Sequence, residues 1–538
     1  MNTQARTLPA GVALCRACAR RYGLAVPDIV GALQVAEPGL AILVVDDLCE
    51  GPGTLASTLR GRSPERLVVG ACATGEALAE IRQAASRAGI DPFGLEVVDL
   101  ALGVDDTGEP CPERAVAQLI ARVGRARAYT GVQVENLKLA LPGMDEPVSR
   151  RGLFSLLRPR QQVVPAVDAS ACAGAETCHL CVSSCPYEAI GVSGARVAID
   201  TFRCTGCGVC LPACPDAAIR YPSHSPAQTS AEVQDLLAVS RKDDAAPLEG
   251  APVLLYKCQC AGKLSLPSGY LLVEVPCLAM LPVDLLLLPF EQGAAGVMLA
   301  AGACPRAGAA QAWAGRVGCA QATLDAFGAG ASRIGVWRRH AGEAAGQVLR
   351  RFQKALGALG PHRLAEAQAP PHQDGGLPGL LGRWDKRLTT TVRRSTSDAS
   401  PLGVVTVDRQ ACTFCGICAS HCPTAALTFE EKDGRAALAF AHRRCVACER
   451  CVASCPEKAL ALERAIDLDR LDAAPQVIAQ DTLARCRSCG ASLLPESIQR
   501  YVQARLTGPL SDKAREGLCP TCRIKAQLVG QMQGKGVS

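Results

Sequence analysis

The sequence predicts a multidomain protein of mixed class, in which two α/β units are combined with two small cysteine-rich α+β modules and a short C-terminal tail. Two regions alternate between buried-strand and helical patterns, which indicates α/β units. Cysteine runs of one spacing occur twice, about 240 residues apart, and two CxxC pairs lie near the C-terminus. A chain of 538 residues has room for about three to five domains of ordinary size.

Domain boundaries are predicted from changes in composition along the chain. Segments rich in basic residues, proline, glycine, serine or threonine separate the patterned regions and are interpreted as linkers. In chain order we expect an α/β unit at 1–135, a linker at 136–165, a cysteine module at 166–222, an α/β unit at 252–355, a linker at 360–400, a second cysteine module at 402–464 and a tail at 480–530.

Both α/β units contain predicted strands and helices. In the first unit these are strands at Ala41–Val45, Arg66–Val69 and Leu95–Leu100, and helices at Gly75–Ala88 and Pro112–Arg127. In the second unit the most apolar stretch, 278–303, contains two prolines and two acidic residues, which makes a bilayer-spanning helix costly. We expect a buried helix at Asp284–Gln292, a stop at Gly293 and a strand at Gly296–Ala301.

Composition argues against several classes of function. The net charge of +6 is modest for this length and aromatic residues make up only 4%, so nothing favours a nucleic-acid surface. The N-terminus has no apolar signal core, and the 30 cysteines form ligand-like runs, which a disulfide framework does not need. Because thiolate ligation of iron needs reduced cysteines, we expect a cytoplasmic protein that binds no nucleic acid and has no transmembrane segment.

The second cysteine module has the regular spacing of bacterial-type ferredoxins. In its two C-x2-C-x2-C-x3-C-P runs, three cysteines should bind one 4Fe–4S cluster while the fourth reaches the neighbouring cluster. We expect one cluster on Cys412, Cys415, Cys418 and Cys455, and its neighbour on Cys445, Cys448, Cys451 and Cys422. Structural zinc is the alternative, but its usual ligand spacing differs. Helical patterns follow the two prolines, at Thr424–Leu427 and Glu457–Leu460.

The first cysteine module follows the same spacing with one departure. Its first run begins Cys172-x5-Cys178, and the regular spacing would place a ligand at Ala175, which cannot bind iron. Cys172 must therefore reach round a three-residue insertion, and the alternative is a three-iron cluster that lacks this ligand. We expect one cluster on Cys172, Cys178, Cys181 and Cys214, and the other on Cys204, Cys207, Cys210 and Cys185.

Two histidines, His179 and His421, lie beside cluster cysteines. Histidine replaces cysteine in some iron–sulfur sites, but here each ligand position already has a cysteine. We interpret both histidines as polar neighbours that tune the reduction potential by hydrogen bonding.

Four cysteines of the second α/β unit lie where strands are expected to end. Cys258 and Cys260 close one strand, Cys277 follows a second and Cys304 follows a third. Because the carboxyl ends of neighbouring strands meet at one edge of a sheet, these side chains are expected to converge. A 2Fe–2S cluster is one interpretation, and buried cysteines without a ligand are the other.

Residues 252–340 resemble the delta iron–sulfur subunit of methyl-viologen-reducing hydrogenases. The resemblance rests on the CxC motif at Cys258, on Val275-Pro276-Cys277, on the segment Pro282–Ala301 with Gly293-Ala294-Ala295-Gly296-Val297, and on Cys304. It departs from the family at two points, since the family has CxxC at the first position and a second cysteine where Ala309 stands here. The resemblance implies a 2Fe–2S relay between a hydrogenase or dehydrogenase and a heterodisulfide-reductase-type flavoprotein.

Residues 40–130 are similar to the N-terminal domain of the heterodisulfide reductase flavoprotein subunit. The similarity is carried by Leu67–Cys72, the helix after it, and Ala88–Phe93. Similar domains carry a cluster, so the N-terminal cysteines are interpreted either as a further cluster site or as scattered core residues; they are Cys15, Cys18, Cys49, Cys72 and Cys111. The sequence has neither a GxGxxG after a strand nor a Walker motif, so no flavin is expected.

The tail contains two CxxC pairs, Cys486-x2-Cys489 and Cys519-x2-Cys522, which together complete a tetrahedral four-cysteine site. Structural zinc is expected, with rubredoxin-like iron as the alternative. The metal would stabilise a tail whose predicted helix, Pro495–Leu506, is too short to bury a core of its own.

Three functions fit these motifs. The first is an electron-transfer subunit, without a substrate site of its own, that relays electrons between a flavoprotein, dehydrogenase or hydrogenase and a heterodisulfide-reductase-like partner. The second is an oxidoreductase acting on a disulfide or sulfur substrate at Cys258–Cys260 or Cys304, which would need either an iron atom with an open position or a free thiol of lowered pKa. The third is a zinc scaffold, which would contain little iron, whereas four 4Fe–4S clusters contain about 16 iron atoms.

Overall fold

The computed structural model describes residues 10–49, 55, 59, 66–72, 75–91, 94–131, 137–140, 160–174, 178–194, 196–222, 224–239, 251–302, 304, 307–339, 343–366, 375–505 and 517–533. The chain divides into two compact units, residues 1–392 and 393–538, and each is described by itself. Parallel sheets with packed helices dominate the first unit, and the second is built on antiparallel sheets.

The first unit begins with a four-stranded parallel sheet in the spatial order β2-β1-β3-β4. Its strands are β1 (Ala10–Cys15), β2 (Ala41–Val45), β3 (Arg66–Ala71) and β4 (Leu95–Asp99). Its helices are α1 (Arg16–Arg21), α2 (Val26–Ala36), α3 (Gly75–Arg87) and α4 (Pro112–Arg127). The central strand β1 is buried along its whole length, which is typical of an apolar strand covered on both faces of a parallel sheet.

Most of the predicted elements of this sheet are found. The strand β2 and the helix α4 have the predicted bounds, while α3 and β4 end one residue early and β3 continues to Ala71. The strand β1 was not predicted, because its small residues give neither a strand alternation nor a helical period.

Three short antiparallel strand pairs follow along the chain. The pairs are β5 (Leu137–Ala140) with β6 (Arg160–Val163), β7 (Ala166–Val167) with β10 (Ile219–Arg220), and β8 (Ile190–Ser193) with β9 (Arg196–Ile199). The first ferredoxin-type module also contains α5 (Leu180–Ser184) and is followed by α6 (Pro226–Val239). Most of the predicted linker at 136–165, and the insertion at Ala175, lie outside the described residues.

The second parallel sheet has the order β12-β11-β13-β14. Its elements are β11 (Val253–Cys258), β12 (Tyr270–Val275), α7 (Val283–Glu291), β13 (Gly296–Ala301), α8 (Ala307–Ala326), β14 (Ile334–Arg338) and α9 (Ala345–Leu359). The predicted strand β13 is found, and the helix α7 lies one residue earlier than predicted. Gly293, with a φ of +89°, lets the chain leave α7 toward β13. Within the described ranges, no helix is both long and apolar enough to cross a bilayer.

Helices α4 and α6 share a buried network of charged side chains. The side chain of Glu232 on α6 is completely buried, and its carboxylate lies 2.8 Å from Arg125 Nη1 and 3.4 Å from Arg122 Nε. Both arginines, which lie on α4, also pair with Glu96 on β4. Gln118 on the same helix donates a hydrogen bond of 3.0 Å to a carbonyl of β12. The helix α4 therefore joins α6 to both parallel sheets.

Helix α10 (Gly376–Arg387) forms within the segment 360–400 that was predicted to be a linker. Its buried apolar side chains recur at helical spacing: Leu377, Leu380, Leu381 and Trp384. Arg383 pairs with the buried Glu291 at the end of α7, at 2.8 Å. The structure differs from the prediction here because the surrounding glycines and prolines hid this short i, i+3, i+4, i+7 pattern.

The second unit contains two antiparallel sheets, with the orders β15-β19-β16 and β17-β18-β20-β21. The strands are β15 (Arg394–Thr396), β16 (Gly403–Val407), β17 (Leu427–Lys432), β18 (Arg435–Phe440), β19 (Leu460–Asp467), β20 (Gln476–Arg485) and β21 (Ser492–Pro495). The helices are α11 (Ile417–Ser420), α12 (Arg450–Ala453), α13 (Leu468–Leu471), α14 (Glu496–Arg505) and α15 (Pro520–Gln533). The helix predicted at Pro495–Leu506 is α14.

The helices predicted after the two cluster prolines are wrong. Thr424–Leu427 and Glu457–Leu460 are turns that lead into β17 and β19, and the helical turns α11 and α12 precede the prolines instead. The cause is local, because Ala425 and Lys458 have left-handed backbone conformations, with φ values of +50° and +51°, and a right-handed helix cannot continue through them.

Replacing Glu232 with glutamine (Glu232→Gln) removes one of the two carboxylates that share two buried guanidinium groups. We expect the free energy of unfolding of the first unit to fall by about 3–5 kcal/mol, the usual cost of removing one partner from a buried ion pair. Urea unfolding followed by tryptophan fluorescence measures this loss, because all three tryptophans of the chain lie in this unit.

The matched control is Glu343→Gln, which removes an exposed carboxylate 2.8 Å from Arg351. An exposed ion pair contributes less than about 1 kcal/mol, so this variant should unfold close to the wild type. Equal losses in the two variants would contradict the importance of the buried network.

Candidate metal centres

Four-cysteine sets line three cavities of the structure. In the second ferredoxin-type module, one small cavity is lined by Cys412, Cys415, Cys418 and Cys455, and another by Cys422, Cys445, Cys448 and Cys451. In the first module, a small cavity is lined by Cys185, Cys204, Cys207 and Cys210. Each set combines three cysteines of one run with the proline-flanked cysteine of the other, as in two-cluster ferredoxins.

The fourth ferredoxin-type set contains Cys172, Cys178, Cys181 and Cys214. Both Cys178 and Cys181 interact electrostatically with Cys172 and Cys214, so the four thiols lie in one neighbourhood. The Cys172 amide donates to the carbonyl of Asp168 at 3.0 Å, which fixes the chain before the insertion. Cys172 therefore lies near Cys178, Cys181 and Cys214, although three extra residues interrupt the regular spacing before Cys178.

Left-handed residues shape the ligand turns of the second module. Phe414 and Gly416 have φ values of +56° and +73° in the first run, and Ala447 and Glu449 repeat the pattern at +49° and +60° in the second. Alternating right- and left-handed residues aim successive amides into a concavity that favours anions, as at many iron–sulfur sites. The turns therefore present both sulfurs and N–H groups to the cavities.

Backbone amides also donate directly to cluster-set sulfurs. The amide four residues after a proline-flanked cysteine lies 3.4 Å from the sulfur of Cys185, 3.2 Å from that of Cys214 and 3.3 Å from that of Cys455. Donors of this kind stabilise the thiolate and influence the potential of a bound cluster.

Burial makes these thiols hard to ionise without a bound cation. It raises the pKa of Cys181 and of Cys418 to about 11 and that of Cys451 to about 12, and neighbouring cysteines add to the effect. Because ligands must be thiolates, a positively charged metal group is required to hold four of them together. The donor sets consist only of sulfur, which is the set that iron–sulfur clusters use.

Histidines take no part in the three cavities described above. His421 Nδ1 lies 2.9 Å from the carbonyl of Ile417, to which it can donate. His179 precedes α5, which begins at Leu180. These positions are compatible with the interpretation of both histidines as polar neighbours of the cysteine sets.

The second parallel sheet brings cysteines together at its carboxyl edge. Cys258 and Cys260 have sulfurs 2.8 Å apart, and the side chain of Cys304 hydrogen-bonds to Cys260. Gly302 makes this approach possible, since a Cβ there would overlap the carbonyl of Cys260. Cys277 follows β12, the strand on the other side of β11. We call these four cysteines the middle site.

A buried arginine lies beside Cys277. Arg316 Nη1, on α8, donates to the carbonyls of Ala279 at 2.7 Å and Leu281 at 3.2 Å, and its charge interacts with Cys277. Burial lowers the pKa of Arg316 to about 10, so the group stays positively charged at neutral pH. A cation at this position stabilises a thiolate at Cys277.

Four of the five N-terminal cysteines also converge. Cys49 Sγ lies 3.1 Å from Cys18 Sγ and 2.7 Å from Cys72 Sγ, and the sulfurs of Cys15, Cys18 and Cys49 lie within 4.8 Å of one another. Burial raises the pKa of Cys49 to about 11. Cys111 instead precedes α4, where its sulfur contacts a backbone carbonyl at 3.8 Å.

The two CxxC pairs of the tail form one compact group. The sulfurs of Cys486, Cys489, Cys519 and Cys522 all lie within 4.8 Å of one another. The Cys519 amide donates to Cys486 Sγ at 3.3 Å, and the amides of Cys519 and Cys489 lower the pKa of Cys486 to about 6. The arrangement suits a tetrahedral metal ion that binds thiolates.

Sequence reasoning missed two residues at the middle site. Arg316 is an isolated charge in an alanine-rich helix, and that isolation was a usable signal. Gly302 gave no local signal, because glycine is needed there to make room for the carbonyl of Cys260, which is far away in sequence.

Three family models match parts of the chain. The 4Fe-4S dicluster domain matches residues 411–459, the delta subunit of methyl-viologen-reducing hydrogenase matches residues 256–360, and the 4Fe-4S binding domain matches residues 197–220. The matches include the second ferredoxin-type module, the second run of the first module and the second α/β unit. They confirm the resemblances predicted for these segments.

A curated relative covers one short part of the chain. An uncharacterized ferredoxin of Methanocaldococcus jannaschii is 42% identical over 55 residues, which is 10% of this chain and 87% of the ferredoxin. The similarity therefore concerns a short part of this chain and nearly the whole of the small relative.

Replacing Gly302 with alanine (Gly302→Ala) places a methyl group where the Cys260 carbonyl lies. We expect a loss of about 1–3 kcal/mol or more in the stability of the second α/β unit, the usual cost of overpacking. The midpoint of urea unfolding, followed by tryptophan fluorescence, measures this effect.

The control is Gly318→Ala in the interior of α8, where a Cβ would meet nothing within 4 Å. Alanine is the better helix former, so this variant should gain about 0.5–1 kcal/mol. A Gly302→Ala protein as stable as the wild type would show that the two chain segments are not in close contact.

Proposed function

This chain belongs to the ferredoxin-type iron–sulfur proteins and contains a domain of the hydrogenase delta-subunit family, and from this we infer that it is an electron-transfer subunit of a redox complex. We propose that it relays electrons between a dehydrogenase, hydrogenase or flavoprotein and a heterodisulfide-reductase-like partner. The observation that carries the proposal is the convergence of four separate four-cysteine sets in two ferredoxin-type modules. Four sets imply four 4Fe–4S clusters and about 16 iron atoms.

In this proposal the bound clusters supply one-electron redox chemistry, and the protein holds and shields them. The cysteines provide thiolate ligands, the left-handed turns aim amides at the sulfurs, and buried apolar residues exclude water. These are the means by which a protein sets cluster potential and spacing.

The middle site is proposed to hold a 2Fe–2S cluster on Cys258, Cys260, Cys277 and Cys304. The support is the close approach of Cys258, Cys260 and Cys304, and the position of Cys277 at the end of the neighbouring strand β12. The cation of Arg316 lies beside Cys277. The N-terminal group is proposed to hold a further cluster on Cys15, Cys18, Cys49 and Cys72, because its sulfurs meet at the same edge of the other parallel sheet. We treat both parallel units as Rossmann-like, since each has the strand order 2-1-3-4 of doubly wound sheets.

The alternative function, direct reduction of a disulfide or sulfur substrate, is favoured by one observation only, the 2.8 Å separation of the Cys258 and Cys260 sulfurs. A reactive thiol should be accessible and should have a lowered pKa. Cys258 is 3% exposed, and burial raises the pKa of Cys260. Both properties favour a ligand over a nucleophile.

The tail is proposed to bind structural zinc, with iron as the alternative. Its four cysteines form a closed set, and the helices beside them keep apolar residues exposed, including Ile524, Leu528 and Val529. A tail with so little buried surface depends on a metal for its fold. Since all the proposed ligands need reduced cysteines, we propose that the protein works in the cytoplasm.

The variant Cys277→Ala tests the middle site. We expect the electron paramagnetic resonance spectrum of the reduced protein to lose its 2Fe–2S signal and the iron content to fall by about two atoms per chain, while the 4Fe–4S signals remain. The control is Cys319→Ala, which removes a buried cysteine of α8 that lies outside the site.

A 2Fe–2S signal that survives in Cys277→Ala would remove this cysteine from the ligand set. Turnover of a disulfide by the isolated chain that is abolished by Cys260→Ala would favour the alternative function.

The variant Cys519→Ala tests the tail. It should lose about one zinc atom per chain by elemental analysis, because a structural site uses all four ligands, and limited proteolysis should cleave the tail faster. The control is Leu528→Ala, which changes an exposed residue of α15 and should retain the zinc. Retention of zinc in Cys519→Ala would contradict the site.

A further inference from the structure

Met280 of the second α/β unit fills the space beside a ligand turn of the first ferredoxin-type module. Gly208 lies between Cys207 and Cys210 and has a φ of +69°; a Cβ on it would come within 2.5 Å of Met280 Cγ and Cε. Met280 is completely buried and follows Cys277 by three residues. One side-chain contact therefore joins the neighbourhood of a cluster set to that of the middle site.

A second contact joins the same two places. Pro186 directly follows Cys185, and a Cβ on Gly308 would lie 2.7 Å from the Pro186 ring. Gly308 belongs to the first turn of α8 and lies four residues after Cys304. Two independent chain segments of the middle site thus touch residues adjacent to members of the Cys185, Cys204, Cys207 and Cys210 set.

The loop that carries Met280 is fixed by a hydrogen-bonded side chain. Arg316 donates to the carbonyls on both sides of Met280, those of Ala279 and Leu281. The loop from Cys277 to Leu281 contains a short helical turn at Leu278–Met280 and is almost fully buried. Its position against Gly208 is therefore set by packing and by Arg316 together.

We propose that this loop is the electronic junction of the first unit. In the proposed relay, on which this inference rests, the Cys185, Cys204, Cys207 and Cys210 position exchanges single electrons with the middle site. The Cys172, Cys178, Cys181 and Cys214 position is then one step further along the path. Clusters held by these cysteines would supply one-electron redox chemistry, in which one cluster would lose the electron that the other gains and no bond would form or break. Met280 and Arg316 are positioning residues, which hold the two sites at a fixed separation.

The test uses the full chain reconstituted with iron and sulfide and reduced with dithionite. A paramagnetic neighbour speeds the spin relaxation of the middle-site signal, so Cys207→Ala should slow this relaxation toward that of an isolated site. Cys178→Ala, the corresponding change in the other set of the module, should leave it unchanged. An equal effect of the two variants, or a larger effect of Cys178→Ala, would overturn the assignment.

A second measurement keeps all ligands in place. Met280→Ala should increase backbone hydrogen exchange in residues 207–211, because the side chain that covers the ligand turn is lost. The control is Met298→Ala, which removes a buried methionine that packs beside Gly335 in the same sheet and should leave 207–211 unchanged. Unchanged exchange at 207–211 in Met280→Ala would refute the junction even if every cluster is present. Absence of any middle-site signal in the wild type would instead refute the proposed 2Fe–2S site, and the exchange measurement would still decide whether the contact exists.

Discussion

The first unit depends on the buried carboxylate of Glu232. A buried charge is tolerated only when it is paired, and here Arg122 and Arg125 supply two partners from α4 while Glu96 balances them from β4. Gly124 allows the close approach, because a Cβ there would overlap the carboxylate of Asp235 on α6. Because Arg122 and Arg125 also pair with Glu96 on β4, the same network holds α6 against the first parallel sheet through α4.

The two parallel sheets place their cysteines by the same rule. Both have the order 2-1-3-4, so in each sheet the second strand lies on one side of the first strand and the third strand lies on the other. Ligands bind outside the carboxyl ends of strands at such a switch point. In the first sheet Cys15 ends β1 and Cys72 follows β3, and in the second sheet Cys258 ends β11 and Cys304 follows β13. Topology alone thus brings cysteines that are distant in sequence to one edge.

The cysteine sets could be predicted from spacing, because each ferredoxin-type run is local and its geometry follows from a few consecutive residues. The strands and helices with continuous apolar patterns, such as β2, β13 and α4, were also predictable. Three features were not. The turns after Pro423 and Pro456 depend on left-handed residues, α10 is hidden among glycines, and the convergence of the N-terminal cysteines depends on sheet order. Each depends on backbone conformation or on packing between residues far apart in sequence, and residue spacing reveals neither.

Desolvation opposes ionisation of the buried thiols in both ferredoxin-type modules. Ionising a buried cysteine is unfavourable, and several cysteines in one small volume repel one another once ionised. Amide donors lower this cost at the ferredoxin-type sets, whereas at the middle site a full positive charge, that of Arg316, does so for Cys277. A nearby fixed cation stabilises the more negative, reduced state of any redox group, so the middle site should be easier to reduce than it would be without Arg316. The middle site therefore combines two sources of positive electrostatics, a backbone hydrogen bond from Gly302 to Cys260 and the charge of Arg316 beside Cys277.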